Sequence, residues 1–249
     1  NAERQQVYLD VLAQKRVDGL IVASTTDDAL MSLHLSQTTI PMVLIDRAIA
    51  GLDKPCVQTD HVQGGMLATS HLLSLGHQRI ACIAGPEQLH SSEQRVQGWR
   101  QALQQSGLRS DLLEYGDFGV NGGYLAMLSL LGGSASSRPT AVIACNDLMA
   151  IGALRAAHER GLRVPQDVAV VGYDDIELAS YTHPPLTSVV QPVVTMAQQA
   201  MALLLAYMKP IDPASQPAEV RLLTPALVTR ASSKPPARMP APLVAGDIA

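Results

Sequence analysis

Short runs of Val, Ile, Leu and Ala recur along the chain: VDGLIVAS (17–24), PMVLID (41–46), RIACIAG (79–85), TAVIAC (140–145) and VAVVGY (168–173). Their apolarity is continuous rather than alternating, as expected of strands covered on both faces, and longer helical segments separate them. The helices carry their own stops. Asp60 is placed to cap one that ends at Gly76; Val96, Trp99 and Leu103 share a face of another that ends at Gly107; Asn146 can cap a third that ends at Gly161. After Gln191-Pro192, the residues Val194, Ala197, Met201, Leu204 and Met208 fall at helical spacing and predict a core-facing stripe. This order predicts an α/β fold of parallel sheets with helices on both faces. From Ser232 onward, Pro and Ala without periodicity predict a loose tail.

Residue type changes abruptly where each run ends: Ser24-Thr25, Asp46-Arg47, Gly85-Pro86, Asn146-Asp147 and Asp174-Asp175. Ligands of open parallel sheets bind outside the carboxyl ends of the strands, so a site is expected at these termini. The segment VVGYDDIELASYTHPPLTSVVQP (170–192) is the clearest case, a buried-looking strand that stops at two adjacent carboxylates. Asp is depleted in strands and costly to bury, so a turn, a helix cap or a ligand must account for it.

The chain has 249 residues, 47% hydrophobic and 16% charged, which suits a globular protein of one large or two small domains. A formal net charge of -4 without a Lys/Arg-rich block argues against a nucleic-acid surface on this chain. Cys56, Cys82 and Cys145 lie in or beside apolar runs and not in CxxC spacing. They read as reduced, buried thiols of a cytoplasmic protein, with no zinc site or disulfide scaffold. No membrane span is predicted, and the opening NAERQQVYLD is a charged helical stretch without a signal peptide.

Catalytic patterns fail one by one. Adjacent residues leaving a strand tend to point apart, so Asp174 and Asp175 do not make a carboxylate pair flanking one bond. GPEQLHSSEQR after the third run is neither a P-loop nor a dinucleotide fingerprint, the histidines lack metal-ligand spacing, and no GxSxG is present. No enzyme activity, cofactor or metal is expected. What remains suits a neutral polyhydroxylated molecule: carboxylates accept from hydroxyls, an Arg fork donates, and an Asn or Gln amide does both. Phe118, the single Phe of the chain, follows a strand end and precedes a helix; it reads either as a face for a sugar ring or as an ordinary core residue.

An ordered series of motifs carries a family likeness over nearly the whole chain to about residue 232: QKRVDGLIV, PMVLIDR, LLSLGHQRIACIAGP, SSEQRVQGWRQAL, ACNDLMAIGALRAAHERGLRVPQDVAVVGYDDIELASYTHPPLTSVVQP and LVTRAS. The sequence resembles the LacI/GalR family of bacterial repressors, in their effector-binding core. The resemblance implies two periplasmic-binding-protein-like subdomains joined by three crossovers, with a sugar effector in the cleft between them. The first lobe would hold residues 1–85 plus the helix 192–209, and the second 86–190 plus a closing strand within 219–231, leaving 232–249 as the tail.

Carried over residue by residue, the resemblance makes Asn146, Asp174 and Arg95 ligand contacts, with Ser91 as a small hydroxyl contact, Phe118 as the stacking aromatic and Gln191 on the last hinge strand. Asp46 and Arg47 match a pair that favours a pentose, an aldopentose with ribose first; a structural ion pair is the other reading of these two residues. Asp175 and Asp147 are expected to cap the turn and the helix that follow them. The family's helix-turn-helix headpiece, hinge helix and first core strands do not appear before Asn1, so operator DNA binding is expected of a headpiece outside this chain. A homodimer is implied through the helix 148–160 and the segment 180–186. A periplasmic sugar-binding protein for transport or chemotaxis is the rival reading.

Overall fold

Alternating elements fill the chain. They are α1 (Ala2–Gln14), β1 (Leu20–Ala23), α2 (Ala29–Gln37), β2 (Met42–Ile45), β3 (Cys56–Thr59), α3 (His61–Ser74), β4 (Ile80–Ala84), α4 (His90–Gln105), β5 (Leu113–Tyr115), α5 (Val120–Leu130), β6 (Ala141–Ala144), α6 (Asp147–Glu159), β7 (Ala169–Asp174), α7 (Glu177–Tyr181), β8 (Thr187–Val190), α8 (Val193–Tyr207), β9 (Val220–Leu223) and β10 (Ala226–Val228). The structure is a computed structural model and describes residues 2–23, 29–46, 48–49, 51–87, 89–134, 137–208 and 219–234.

The strands form two sheets, a four-stranded one in the order β1-β2-β3-β9 and a six-stranded one in the order β10-β8-β7-β6-β4-β5. All pairings are parallel except β8 with β10. The chain passes between the sheets three times: from β3 into α3, from β8 into α8, and from β9 to β10.

The continuous apolar runs are explained by cover on both faces. In β2, Met42 and Leu44 join a cluster with Leu20, Leu35 and Cys56, whereas Val43 turns to the other face and meets Met196, Ala200, Leu203 and Leu204 of α8. Side chains of one strand alternate between faces, so a strand with two cores needs apolar residues at every position. The six-stranded sheet does the same on a larger scale. Its buried cluster takes in Ile80 to Ala84, Ala141 to Cys145 and Val168 to Val171, with Trp99, Leu103, Met127 and Met149 from the covering helices. Fully burying side chains of this size stabilises by roughly 1.5–3 kcal/mol each relative to exposure. Cys56, Cys82 and Cys145 are free and buried, as the sequence predicts.

The helix ends follow the sequence signals. Asp60 Oδ1 accepts from the Gln63 N–H at 2.9 Å to cap α3, and Asn146 Oδ1 accepts from the Met149 N–H at 2.9 Å to cap α6. Each such cap contributes about 1 kcal/mol. Gly76, Gly107 and Gly161 take the left-handed conformation just past the helix ends.

Four expectations change. β4 lies within the range 1–85 assigned to the first lobe, yet it pairs with β6 and β5 in the six-stranded sheet. The range 219–231 splits, with β9 pairing with β3 and β10 pairing with β8. The stripe chosen on α8 is largely its outer face: Val194 and Met201 are 68% and 48% exposed, and Met196, Ala200, Leu203 and Leu204 are the buried set. Ser232 and Ser233 are buried rather than part of a tail, because Ser232 Oγ donates to the Val170 carbonyl and accepts from the Thr187 N–H. Residues 235–249 lie outside the described residues.

Candidate functional site

In the six-stranded sheet, β4 is flanked by β5 on one side and β6 on the other, so successive connections leave in opposite directions from neighbouring strands. Such a switch point opens a crevice at the carboxyl ends of the strands. Gly85 follows β4 there, and Asn146 follows Cys145 at the end of β6. A Cβ on Gly85 would lie 2.3 Å from the Phe118 ring, so only glycine lets that ring approach the strand end. Phe118 itself is half-buried, packs against the core and has φ 63°. Its carbonyl accepts from Asn146 Nδ2 at 2.8 Å. Asn146 thus caps α6 with its oxygen and holds the Phe118 backbone with its nitrogen.

Asp174 ends β7, in register with Val190 of β8, which brings its carboxylate beside the next residue along, Gln191. Gln191 Nε2 donates to Asp174 Oδ1 at 2.8 Å, and its Oε1 accepts from Thr59 Oγ1 at 2.9 Å. This hydrogen-bonded chain joins the last residue of β3 to the last of β7, across the two crossovers that follow β3 and β8. Arg95, buried in α4, faces the same carboxylate with Nη1 at 3.5 Å. Nη1 also donates to the Cys145 carbonyl, and the guanidinium carbon lies 3.9 Å from the centroid of the Tyr173 ring. The planar fork is therefore fixed by stacking and hydrogen bonding together. Burial pushes the Asp174 carboxyl upward, against the opposing pull of Arg95 and the Gln191 hydrogen bond.

Asp46 comes from the other sheet, directly after β2. It has φ 73° and a side chain 42% exposed, 3.9 Å from Nε2 of the buried His61. His61 Nδ1 lies 3.1 Å from the Tyr173 hydroxyl and 3.4 Å from Arg95 Nε. Burial, then Arg95, lower the His61 pKa to about 3, so the ring is neutral. Asp46, Phe118, Asp174 and Asp175 are all non-glycine residues in the left-handed region. Such backbone costs of order 1–3 kcal/mol per residue and gathers at functional sites.

The residues expected from sequence are placed as follows. Asp46, Arg95, Asp174 and Gln191 belong to one network between the sheets, and Phe118 and Asn146 meet at the switch point. Ser91 is buried in the first turn of α4, but the neighbouring Ser92 makes the loop contact, accepting the Gly85 N–H at 2.8 Å. Arg47 lies outside the described residues. Asp175 and Asp147 are not caps. Asp175 pairs with Arg230 at 2.6 Å, and Asp147 accepts from Ser188 Oγ at 2.6 Å and from the Ile176 N–H at 2.8 Å. A Cβ on Gly172 would fall 2.1 Å from Asp147 Oδ1, so the glycine of GYDD makes room for this buried carboxyl.

Thr59, His61 and Tyr173 were not anticipated. The strand-end rule applied to CVQTDH would have found the first two, but Gln58 interrupts the apolarity that marked the other strands. Among the described residues, no group of three His, Cys, Asp or Glu side chains could hold a metal ion. No described helix is long and apolar enough to cross a membrane.

Comparison with known proteins places this geometry. The periplasmic binding protein-like domain family matches residues 69–233. The chain is 41% identical over 234 residues to the ribose operon repressor of Escherichia coli K12, covering 93% of this chain and 69% of that protein. It is 43% identical over 209 residues to the HTH-type transcriptional repressor PurR of Erwinia tasmaniensis, covering 82% of this chain and 61% of that one. Among solved structures it is similar to the transcriptional regulator CelR in complex with cellobiose, with TM-score 0.82, 37% identity and coverage of 93% and 69% of the two chains. It is also similar to the lac repressor dimer bound to operator and the anti-inducer ONPF, with TM-score 0.80, 32% identity and coverage of 94% and 69%. The chain belongs to the LacI family of transcriptional regulators, of which it is the effector-binding, periplasmic-binding-protein-like core.

Proposed function

We propose that the effector is a neutral sugar, an aldopentose with ribose first, bound between the two sheets, and that its binding sets the operator affinity of a DNA-binding headpiece carried by the whole protein. In this reading the elements of each sheet act as a lobe, one built on β1, β2, β3, β9 and α8, the other on β4 to β8 and β10. The observation that carries the reading is the Asp174 carboxylate, which accepts from Gln191 on a crossover while facing the fixed fork of Arg95. A hydroxyl entering there can donate to Asp174 and accept from Arg95. Two carboxylates, Asp46 and Asp174, against one guanidinium among the described network residues favour a neutral polyol over an anion. The similarity to a ribose operon repressor favours a pentose.

The coupling follows from Gln191. A sugar that takes Asp174 competes for the Gln191 amide, and Gln191 is tied to Thr59 at another crossover. An effector shifts the lobe equilibrium only through such differential contacts. As a transcriptional regulator the protein would act in the cytoplasm, as a homodimer joined through α6 and the segment 180–186.

The test is calorimetric titration of ribose into the wild-type chain and into Asp174→Ala. Loss of a charged acceptor worth about 1.5–3 kcal/mol lowers affinity roughly ten- to a hundredfold. Unchanged affinity in a folded Asp174→Ala variant would leave GYDD as a structural turn only. Absence of ribose binding by the wild type, with another sugar binding in its place, would replace ribose as the effector.

A further inference from the structure

Resting on the sugar-site reading, we propose that His61 is a positioning residue of that site, holding Arg95 by its Nδ1 lone pair while its Nε2–H faces Asp46, so that the acid of one sheet and the cation of the other are set by a single ring. The tautomer follows from the partners. A guanidinium only donates, so the nitrogen 3.4 Å from Arg95 Nε must carry a lone pair. The Tyr173 hydroxyl, 3.1 Å from the same nitrogen, then donates to it as well. The ring proton is left on Nε2.

Nε2 is buried and has no hydrogen-bond partner among the described residues. A buried donor without a close partner is destabilising, and Asp46 faces it, with its carboxylate Oδ1 3.9 Å away and its backbone as a weak acceptor toward the ring. A shift of roughly 1 Å would bring that pair within hydrogen-bonding distance. His61 stands at the first turn of α3, two residues beyond Thr59, so the gap is spanned beside a crossover, where movement of one sheet relative to the other is absorbed. The charged and titratable groups facing the ring are Arg95, Asp46, Tyr173 and His90. Protonation of Nδ1 would set two cations against each other, and the lowered His61 pKa is consistent with a ring that works only when neutral.

Arg95 needs this support because its own geometry is demanding. Its stacking on Tyr173 fixes the plane of the fork and the Cys145 carbonyl holds the Nη1 end, while the contact to His61 is what holds the Nε edge. The two nitrogens of the ring can be separated by substitution, since the Asn amide reaches the Nδ1 position and the Gln amide the Nε2 position.

The experiment has two arms. In the sugar-free wild-type chain, nitrogen-detected NMR of labelled histidine should show His61 protonated on Nε2 alone, with Nδ1 unprotonated. A ring protonated on Nδ1 overturns the proposal with no reference to any sugar. In the second arm, ribose affinity is measured for His61→Asn and His61→Gln, with hydrogen exchange of the Arg95 Nε–H as a sugar-independent companion. His61→Asn should retain affinity within about threefold, and His61→Gln should lose roughly tenfold or more with faster Nε–H exchange. Equal affinities and equal exchange rates in the two variants would reduce His61 to a packing residue. If wild-type chain fails to bind ribose, the sugar reading falls while the tautomer and exchange data still decide the role of His61.

Discussion

Asp147 shows how a residue beside a binding site can serve the frame alone. Its carboxyl is buried beneath Gly172, and desolvation, opposed by its hydrogen bonds to Ser188 and Ile176, raises its pKa to about 7. A folded-state pKa above the ordinary 3.8 means that the folded protein holds this proton more tightly than the unfolded chain. The resulting stability is fully present below about pH 4 and is lost as pH rises through 7. Asp147→Asn cannot ionise, and its amide can still accept from the Ile176 N–H and donate to Ser188. Urea denaturation of both proteins at pH 5 and pH 7.5 should therefore show the variant gaining on the wild type at the higher pH. Parallel stabilities at both values would mean that Asp147 is ionised in the fold. His61, by contrast, has a pKa lowered from 6.5 to about 3, so between those values the unfolded chain holds a proton that the fold does not and stability rises with pH; wild type and Asp147→Asn share this slope, and it cancels from their difference.

Among the elements, α6 joins stability to the site through one side chain, since Asn146 both caps the helix and holds the Phe118 carbonyl. Asn146→Ala removes both bonds and should cost about 1–2 kcal/mol in urea unfolding. Asn146→Asp keeps a cap acceptor favoured at a helix start, so it should cost less, though it sets a carboxylate against the Phe118 carbonyl. Equal losses in the two variants would show that the cap contributes nothing separable. The helix start was legible in advance because Asn before an apolar-periodic stretch has a local meaning. β2 was legible for a similar reason, every position being apolar under two covers. The sheet to which β4 belongs was not, because a fully buried strand reads alike in either sheet and only long-range pairing decides. The buried face of α8 was illegible for the opposite reason: VVTMAQQAMALLLAY offers more than one apolar stripe, and tertiary packing chose Met196, Ala200, Leu203 and Leu204. His61 escaped notice because its role depends on Arg95, Tyr173 and Asp46, which come from three other elements.

For the whole molecule, the proposed homodimer raises the question of which surface would join two copies. α6 and α7 are tied at their starts by the bond from the Ile176 N–H to Asp147, and beyond α7 the His183-Pro184 segment borders a depression lined also by Leu154, His158 and Leu162. This strip exposes Leu178 at 57% and Tyr181 at 76%, with Leu148 at its margin. Large apolar side chains gathered on one surface mark an interaction site more often than single exposed ones do. A twofold axis through the strip would bury each tyrosine against the partner, and buried aromatic anchors of interfaces commonly cost 2 kcal/mol or more when removed. Tyr181→Glu should accordingly weaken the dimer by roughly thirtyfold or more, converting it to monomer at micromolar concentration in sedimentation velocity. Tyr181 is 76% exposed at the end of α7 and is not one of the residues joined to Asp174, so ribose affinity should change little, which separates a lost interface from a lost fold. A dimer unaffected by Tyr181→Glu would move the interface to another surface, and the outer face of α8 with Val194 and Met201 would then be the apolar surface to mutate next.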